Sequence, residues 1–280
     1  MVRKYLEMIK FSHTVFALPF ALVAVFAASS GNLILSDLFW VIVAMAGARS
    51  GAMGFNRWID RRYDAENPRT QQRPSVTGEI SSSTMLRSII ISYLVLVLAA
   101  YQLNSMAFYL SPVAIALTMF YSVTKRFTAY SHLLLGLAIG AAPIAAWIAV
   151  TGNISFASIL LGTSVLCWIA GFDILYALQD LEFDRKSGLF SIPVKFGVPK
   201  SLLIARILHI LTVGCWILFY YVTGMALWFL AGVFLCAGLL IWEHRLVKED
   251  DLSRLDMAFF NMNGYISMTM LFFTALAYWV

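Results

Sequence analysis

Apolar residues run in long blocks along this chain, near 12–31, 37–55, 84–102, 105–122, 131–150, 155–178, 201–221, 224–242 and 258–279. A helix needs about 20 mostly apolar residues to cross the hydrocarbon core of a bilayer. The pattern predicts about nine membrane-spanning helices in an all-α bundle. Residues 1–280 form one domain, because no low-complexity stretch or long linker divides the blocks. Pro19, Pro112 and Pro143 fall inside blocks, where neighbouring helices can satisfy the carbonyls that proline frees.

The polar connections alternate. Those near 32–36, 103–105, 151–154 and 222–223 are short and lack Lys and Arg. The others carry Arg57, Arg61, Arg62, Arg69, Arg73 and Arg87, then Lys125 and Arg126, then Arg185, Lys186, Lys195 and Lys200, then Arg245, Lys248 and Arg254. The positive-inside rule assigns these loops and the N-terminus to the cytoplasm, and an odd number of spans puts Val280 outside. The expected location is the cell (inner) membrane. Arg3, Lys4 and Lys10 before the first block, with Ala27-Ala28-Ser29 after it, resemble a secretory signal. Apolar character resumes at Leu33, which favours an uncleaved first span.

Composition agrees: 61% of the residues are hydrophobic and 12% charged, against about 25% charged in soluble domains. Too little polar surface remains to face water. The net charge of +5 does not mark a nucleic-acid binder, because no basic run stands in a polar domain of its own. Cys167, Cys215 and Cys236 lie in apolar stretches without CxxC spacing and read as inert buried thiols.

The candidate chemistry sits at the ends of the second and sixth blocks. Asn56, Asp60 and Asp64 are four apart and share one face of a continuous helix. Asp173, Asp180 and Asp184 form a second stripe, with Tyr176 between them. Like charges at this spacing destabilise a helix unless a cation sits between them. Magnesium suits such a site, since it takes oxygen ligands from one or two carboxylates together with substrate phosphates. Nearby arginines and lysines can bind the remaining phosphate oxygens. One DxxxD motif alone reads as solvated helix ends; two on the same side favour a metal-bound lipid diphosphate.

These residues carry a family resemblance. NRWIDRRYDAENPRTQQRPSVTG, from Asn56 to Gly78, resembles the first signature of the UbiA superfamily of polyprenyltransferases. DILYALQDLEFDRKSGLFSIPVKFG, from Asp173 to Gly197, resembles the second. Tyr121 to Thr128, YSVTKRFT, is similar to an element of the 4-hydroxybenzoate branch. FNRWIDRRYDAENPRT is more similar to the branch that serves menaquinone synthesis through futalosine, whose acceptor is a dihydroxynaphthoate. One departure is Arg57, where many relatives carry Asp; it is expected to point away from the Asn56/Asp60/Asp64 stripe.

The resemblance implies a bundle of about nine helices around a central cavity. It implies Mg2+-dependent transfer of a polyprenyl group from polyprenyl diphosphate to 4-hydroxybenzoate or 1,4-dihydroxy-6-naphthoate, in ubiquinone or menaquinone synthesis. Asn56, Asp60, Asp64, Asp180 and Asp184 would hold the metal. Arg69, Arg73, Lys125, Arg126 and Lys186 would line the diphosphate, with Tyr121 and Tyr176 among the substrate-binding residues. Loops 57–83 and 181–200 would act as lids.

Arg49 and Asp173 lie deeper, where charge is expensive and marks functional candidates. They either pair with each other or bind the acceptor, Arg49 through its carboxylate and Asp173 through its hydroxyl. His13, His132, His209 and His244 show no metal spacing, and Glu66, Glu182, Glu249, Asp250 and Asp251 read as solvated. No protein partner is implied beyond membrane lipid and the substrates. A transporter built on Arg49 and Asp173 would place its charges at the midplane rather than at one face. A CDP-alcohol phosphotransferase would show a DG…AR run, which is missing. Haem and chlorophyll prenylation remain alternatives within the superfamily.

Overall fold

The computed structural model of the protein describes residues 5, 7–9, 17–247, 249, 252, 255 and 261–279. His13, Arg3, Lys4, Lys10, Lys248, Asp250, Asp251, Arg254 and Val280 lie outside the described residues. Described residues form α1 (Leu18–Ala28), α2 (Leu35–Ile59), α3 (Arg61–Glu66), α4 (Ser82–Leu103), α5 (Ser105–Phe120) and α6 (Ser131–Thr151). They continue with α7 (Phe156–Ala177), α8 (Leu181–Lys186), α9 (Ile192–Thr223), α10 (Leu227–Leu246) and α11 (Asn263–Trp279).

Seven helical segments are long and apolar enough to span a membrane. The described parts of α1 and α11 fall on the first and last apolar blocks. The all-α bundle of about nine spans read from the pattern is therefore the observed architecture, and the chain is a multi-pass membrane protein.

One helix is central. In α7, 78% of the most apolar window is buried, against 11–39% in the other six spans. A helix apolar all round suits a fully buried position, and α7 carries Trp168, Ile169, Ile174 and Leu175 into the core. Around it pack Phe20 from α1, Trp216 and Phe219 from α9 and Phe229 from α10. The outer helices turn Leu35, Tyr109, Ile210 and Leu227 outward, a lipid-facing surface that water would not tolerate.

Small residues set the closest approach, between α6 and α7. A Cβ on Gly136 would lie 2.4 Å from Leu166 O, and one on Gly140 would lie 2.5 Å from Gly162 O. Close helix contact in a membrane depends on such residues, because lipid supplies no hydrophobic drive to bring helices together.

The long polar loops are partly helical. The helix carrying the first motif breaks at Asp60 (φ −93°, ψ 6°) and resumes as α3. The second motif passes through a 3₁₀ turn, Leu178–Asp180, before α8. Neither motif is thus one continuous helix, and these breaks aim the carboxylates. The block expected at 201–221 begins earlier, at Ile192, across a kink at Gly197 (φ 78°, ψ 172°), a conformation open to glycine alone at little cost.

Candidate active site

The first motif is anchored at both of its aspartates. Asn56 Nδ2 donates to Asp60 Oδ2 at 3.1 Å, the i, i+4 contact the spacing predicts. Arg126, at the end of the 3₁₀ turn Tyr121–Arg126, donates to Asp60 Oδ1 at 3.0 Å and to Ile59 O at 2.9 Å. Its guanidinium also lies 5.4 Å from the Tyr63 ring centroid. Burial pushes the Asp60 carboxyl above the usual carboxylate range, against the pull of Arg126. Asp64 is buried, and its Oδ1 accepts from Arg73 at 2.6 Å. Thr70 Oγ1 donates to the Asp64 carbonyl at 3.0 Å, which folds loop 67–81 back over the motif.

That same loop reaches the second motif. Asn67 Nδ2 donates to Asp180 Oδ1 at 3.1 Å. Arg69 grips both oxygens of Asp180, through Nε at 3.0 Å and NH2 at 2.5 Å. Arg69 NH1 also donates to the Tyr176 hydroxyl at 3.2 Å, with its guanidinium over the Tyr176 ring. Burial would lower the Arg69 pKa, but the Asp180 carboxylate more than offsets this and raises it. Bidentate guanidinium–carboxylate pairs combine charge with fixed geometry, so two motifs 113 residues apart become one site.

Lys125 stands between them, in the field of Asp184, Asp173, Asp180 and Asp60. Its carbonyl accepts from Phe190 N at 2.8 Å, which ties the loop after α8 to the 3₁₀ turn. Tyr121 faces Arg57, Arg49 and Asp60. Arg49 therefore lies toward Tyr121, whereas Asp173 takes a different partner, His132 Nδ1, at 2.7 Å. Lys186 is exposed in the last turn of α8 and is not drawn into this arrangement. Arg62 and Glu66 form an outlying surface pair at 3.7 Å.

Three residues were not legible as site members. Arg57 does not face away: it lies in the field of Arg73, Asp64, Tyr121 and Asp60, and its buried Nε has no hydrogen-bond partner. The break at Asp60 is the reason, because α3 no longer continues the face of α2. Asn67 looked like loop, although a capping Asn just past a motif is a usable signal. His132 gave none.

A cation fits this donor set. Asp64 Oδ2 and Asp184 Oδ2 are both buried without a hydrogen-bond partner. A bare buried carboxylate oxygen is costly unless something of positive charge completes it. Among the described residues no three His, Cys, Asp or Glu side chains form a closed cage. Magnesium held there would take its other oxygens from water and a diphosphate. A cavity of about 640 Å3 between α9 and α10, lined by Leu202, Arg206, His244 and Arg245, contains none of these aspartates.

Comparison with known proteins agrees with the fold and the motifs. The model of the UbiA prenyltransferase family matches residues 17–265. The 4-hydroxybenzoate octaprenyltransferase of Pseudomonas fluorescens (strain Pf0-1) is 30% identical over 236 residues, 84% of this chain and 79% of that protein. The enzyme of that name from Klebsiella pneumoniae is 28% identical over 85% of this chain and 84% of its own length. An apo UbiA homologue from Aeropyrum pernix K1 superimposes with a TM-score of 0.85 at 28% identity, over 92% of this chain and 95% of that one. A UbiA homologue from Archaeoglobus fulgidus bound to GPP and Mg2+ shares the fold, with a TM-score of 0.72 at 22% identity, over 99% and 100% of the two chains.

Proposed function

The chain belongs to the UbiA prenyltransferase family, and on that premise we propose that it transfers a polyprenyl group from polyprenyl diphosphate to an aromatic carboxylate in a magnesium-dependent reaction. The acceptor is 4-hydroxybenzoate or 1,4-dihydroxy-6-naphthoate, and the product feeds quinone synthesis. The observation that carries this reading is the junction at Asp180, where Asn67 and Arg69 of the first motif's loop bind the second motif. It makes one pocket with acidic and basic groups interleaved, as a metal-bound diphosphate requires. The Archaeoglobus relative bound to GPP and Mg2+ supports the same chemistry.

Asp60, Asp64, Asp180 and Asp184, with Asn56, would hold magnesium, which supplies charge neutralisation to the diphosphate. Arg69, Arg73 and Arg126 exchange their carboxylate partners for phosphate oxygens as the diphosphate enters. Lys125 stabilises the charge that collects on the departing diphosphate. The allylic C–O bond breaks with its electron pair leaving on the diphosphate, and the ring carbon attacks the allylic carbon. Arg49 binds the acceptor carboxylate. Loop 67–81 excludes water, which would otherwise capture the cation. The N-terminus and these loops face the cytoplasm of the inner membrane, and the C-terminus lies outside.

The test is an assay of purified protein in detergent with magnesium, a long-chain prenyl diphosphate and each acceptor in parallel, read by mass spectrometry. Asp60→Ala and Asp180→Ala serve as controls. Magnesium-dependent product from one acceptor, lost in both controls, supports the reading and names the branch. Binding of prenyl diphosphate with no product from either acceptor refutes the acceptor assignment. No binding at all refutes prenyl transfer.

A further inference from the structure

We propose that His132 is a positioning residue that holds the Asp173 carboxylate as the acceptor's proton-accepting group. The inference rests on the aromatic-acceptor reading above. His132 sits in the first turn of α6 and is completely buried. Its Nδ1 lies 2.7 Å from Asp173 Oδ2 on α7, across the helix pair that Gly136 and Gly140 bring together. Its Nε2 is buried with no hydrogen-bond partner.

These facts fix the tautomer. The only acceptor within reach of Nδ1 is a carboxylate, so Nδ1 carries a proton and donates it. A proton on Nε2 as well would leave a buried N–H unpaired, at a cost of about 1–3 kcal/mol. The ring is therefore neutral, with a bare Nε2 lone pair. Asp173 stays anionic with Oδ2 occupied, while its side chain keeps 19% of its surface accessible. Oδ1 is thus left for a ligand, and Lys125 supplies the nearby positive field.

In the reaction, Asp173 Oδ1 accepts the proton of the acceptor's ring hydroxyl. The O–H electron pair moves into the ring as the ring carbon bonds to the allylic carbon and the diphosphate departs. The resulting dienone loses its ring proton to the diphosphate and recovers the hydroxyl proton from Asp173, which restores the aromatic ring. The hydrogen bond from His132 fixes the Asp173 rotamer throughout. A carboxylate free to rotate would lose the alignment on which proton transfer depends.

His132→Leu, His132→Gln and Asp173→Asn are assayed under the conditions above, with prenyl diphosphate binding measured separately. His132→Leu is expected to lower kcat with the aromatic acceptor about 10–100-fold while prenyl diphosphate affinity stays within twofold. His132→Gln, which keeps an N–H donor, is expected to recover most of that loss. In the Asp173→Asn background, His132→Leu is expected to add little, because the two act as one unit. Nitrogen NMR of protein labelled at its four histidines is expected to show one neutral, Nδ1-protonated ring that shifts in Asp173→Asn. Normal kcat in His132→Leu, additive losses in the double variant, or an Nε2-protonated His132 would overturn the proposal. Wild-type protein that prenylates neither acceptor would instead remove the reading on which it rests.

Discussion

Arg69→Met isolates the exchange of guanidinium partners on which the proposed reaction depends. The substitution keeps the unbranched stem and removes two contacts to Asp180, at 3.0 and 2.5 Å, and one to the Tyr176 hydroxyl at 3.2 Å. Hydrogen bonds to charged groups contribute about 1.5–3 kcal/mol each. The Arg69 side chain is 34% exposed, so solvent screening favours a figure near 1.5 kcal/mol. In the loaded enzyme the guanidinium has passed from Asp180 to phosphate oxygens, so its loss appears mainly in ligand affinity. That amounts to roughly tenfold weaker binding. The assay is calorimetric titration of protein in detergent and magnesium with an unreactive prenyl thiolodiphosphate. Asp180 retains Asn67, so the fold and the melting temperature should change little. Affinity within twofold of wild type would show that Arg69 only neutralises Asp180, and the exchange would be wrong.

Asp64→Asn and Asp184→Asn each neutralise a carboxylate with a bare buried oxygen, so both should raise the magnesium concentration for half-maximal activity at least tenfold; magnesium titration of initial rates tests this. Arg57→Met should remove a buried, unpartnered Nε and raise thermal stability by about 1 kcal/mol while weakening prenyl diphosphate binding; melting curves and titration read the two signs separately. Gly140→Val should force α6 from α7, since its Cβ would meet Gly162 O at 2.5 Å, at a cost of about 1–3 kcal/mol. A lowered melting temperature with reduced kcat would register it, and an unchanged one would mean that the helix pair can part freely.

The order of apolar blocks was enough to establish a membrane bundle of about nine helices. Hydrocarbon tolerates only fully hydrogen-bonded segments of spanning length. Charge alternation and the spacing of Asn56, Asp60 and Asp64 were local patterns, so the first motif and its Asn56–Asp60 contact were legible as well. What sequence spacing does not carry is the path of the chain once a helix ends. The breaks at Asp60 and Leu178–Asp180 are backbone events at the membrane edge, and they turned Arg57 inward where a continuous helix would have left it outside.

The pairings decided only by tertiary structure span long separations. Asn67 and Arg69 reach Asp180, and Arg126 reaches Asp60. His132 reads as an isolated polar residue in an apolar block, yet it touches Asp173, 41 positions away. That contact exists because glycines on α6 and α7 let two backbones approach where any larger side chain would hold them apart. Helix length and charge asymmetry answer to the bilayer and can be read along one chain, whereas the partner of each buried charge answers to packing between helices.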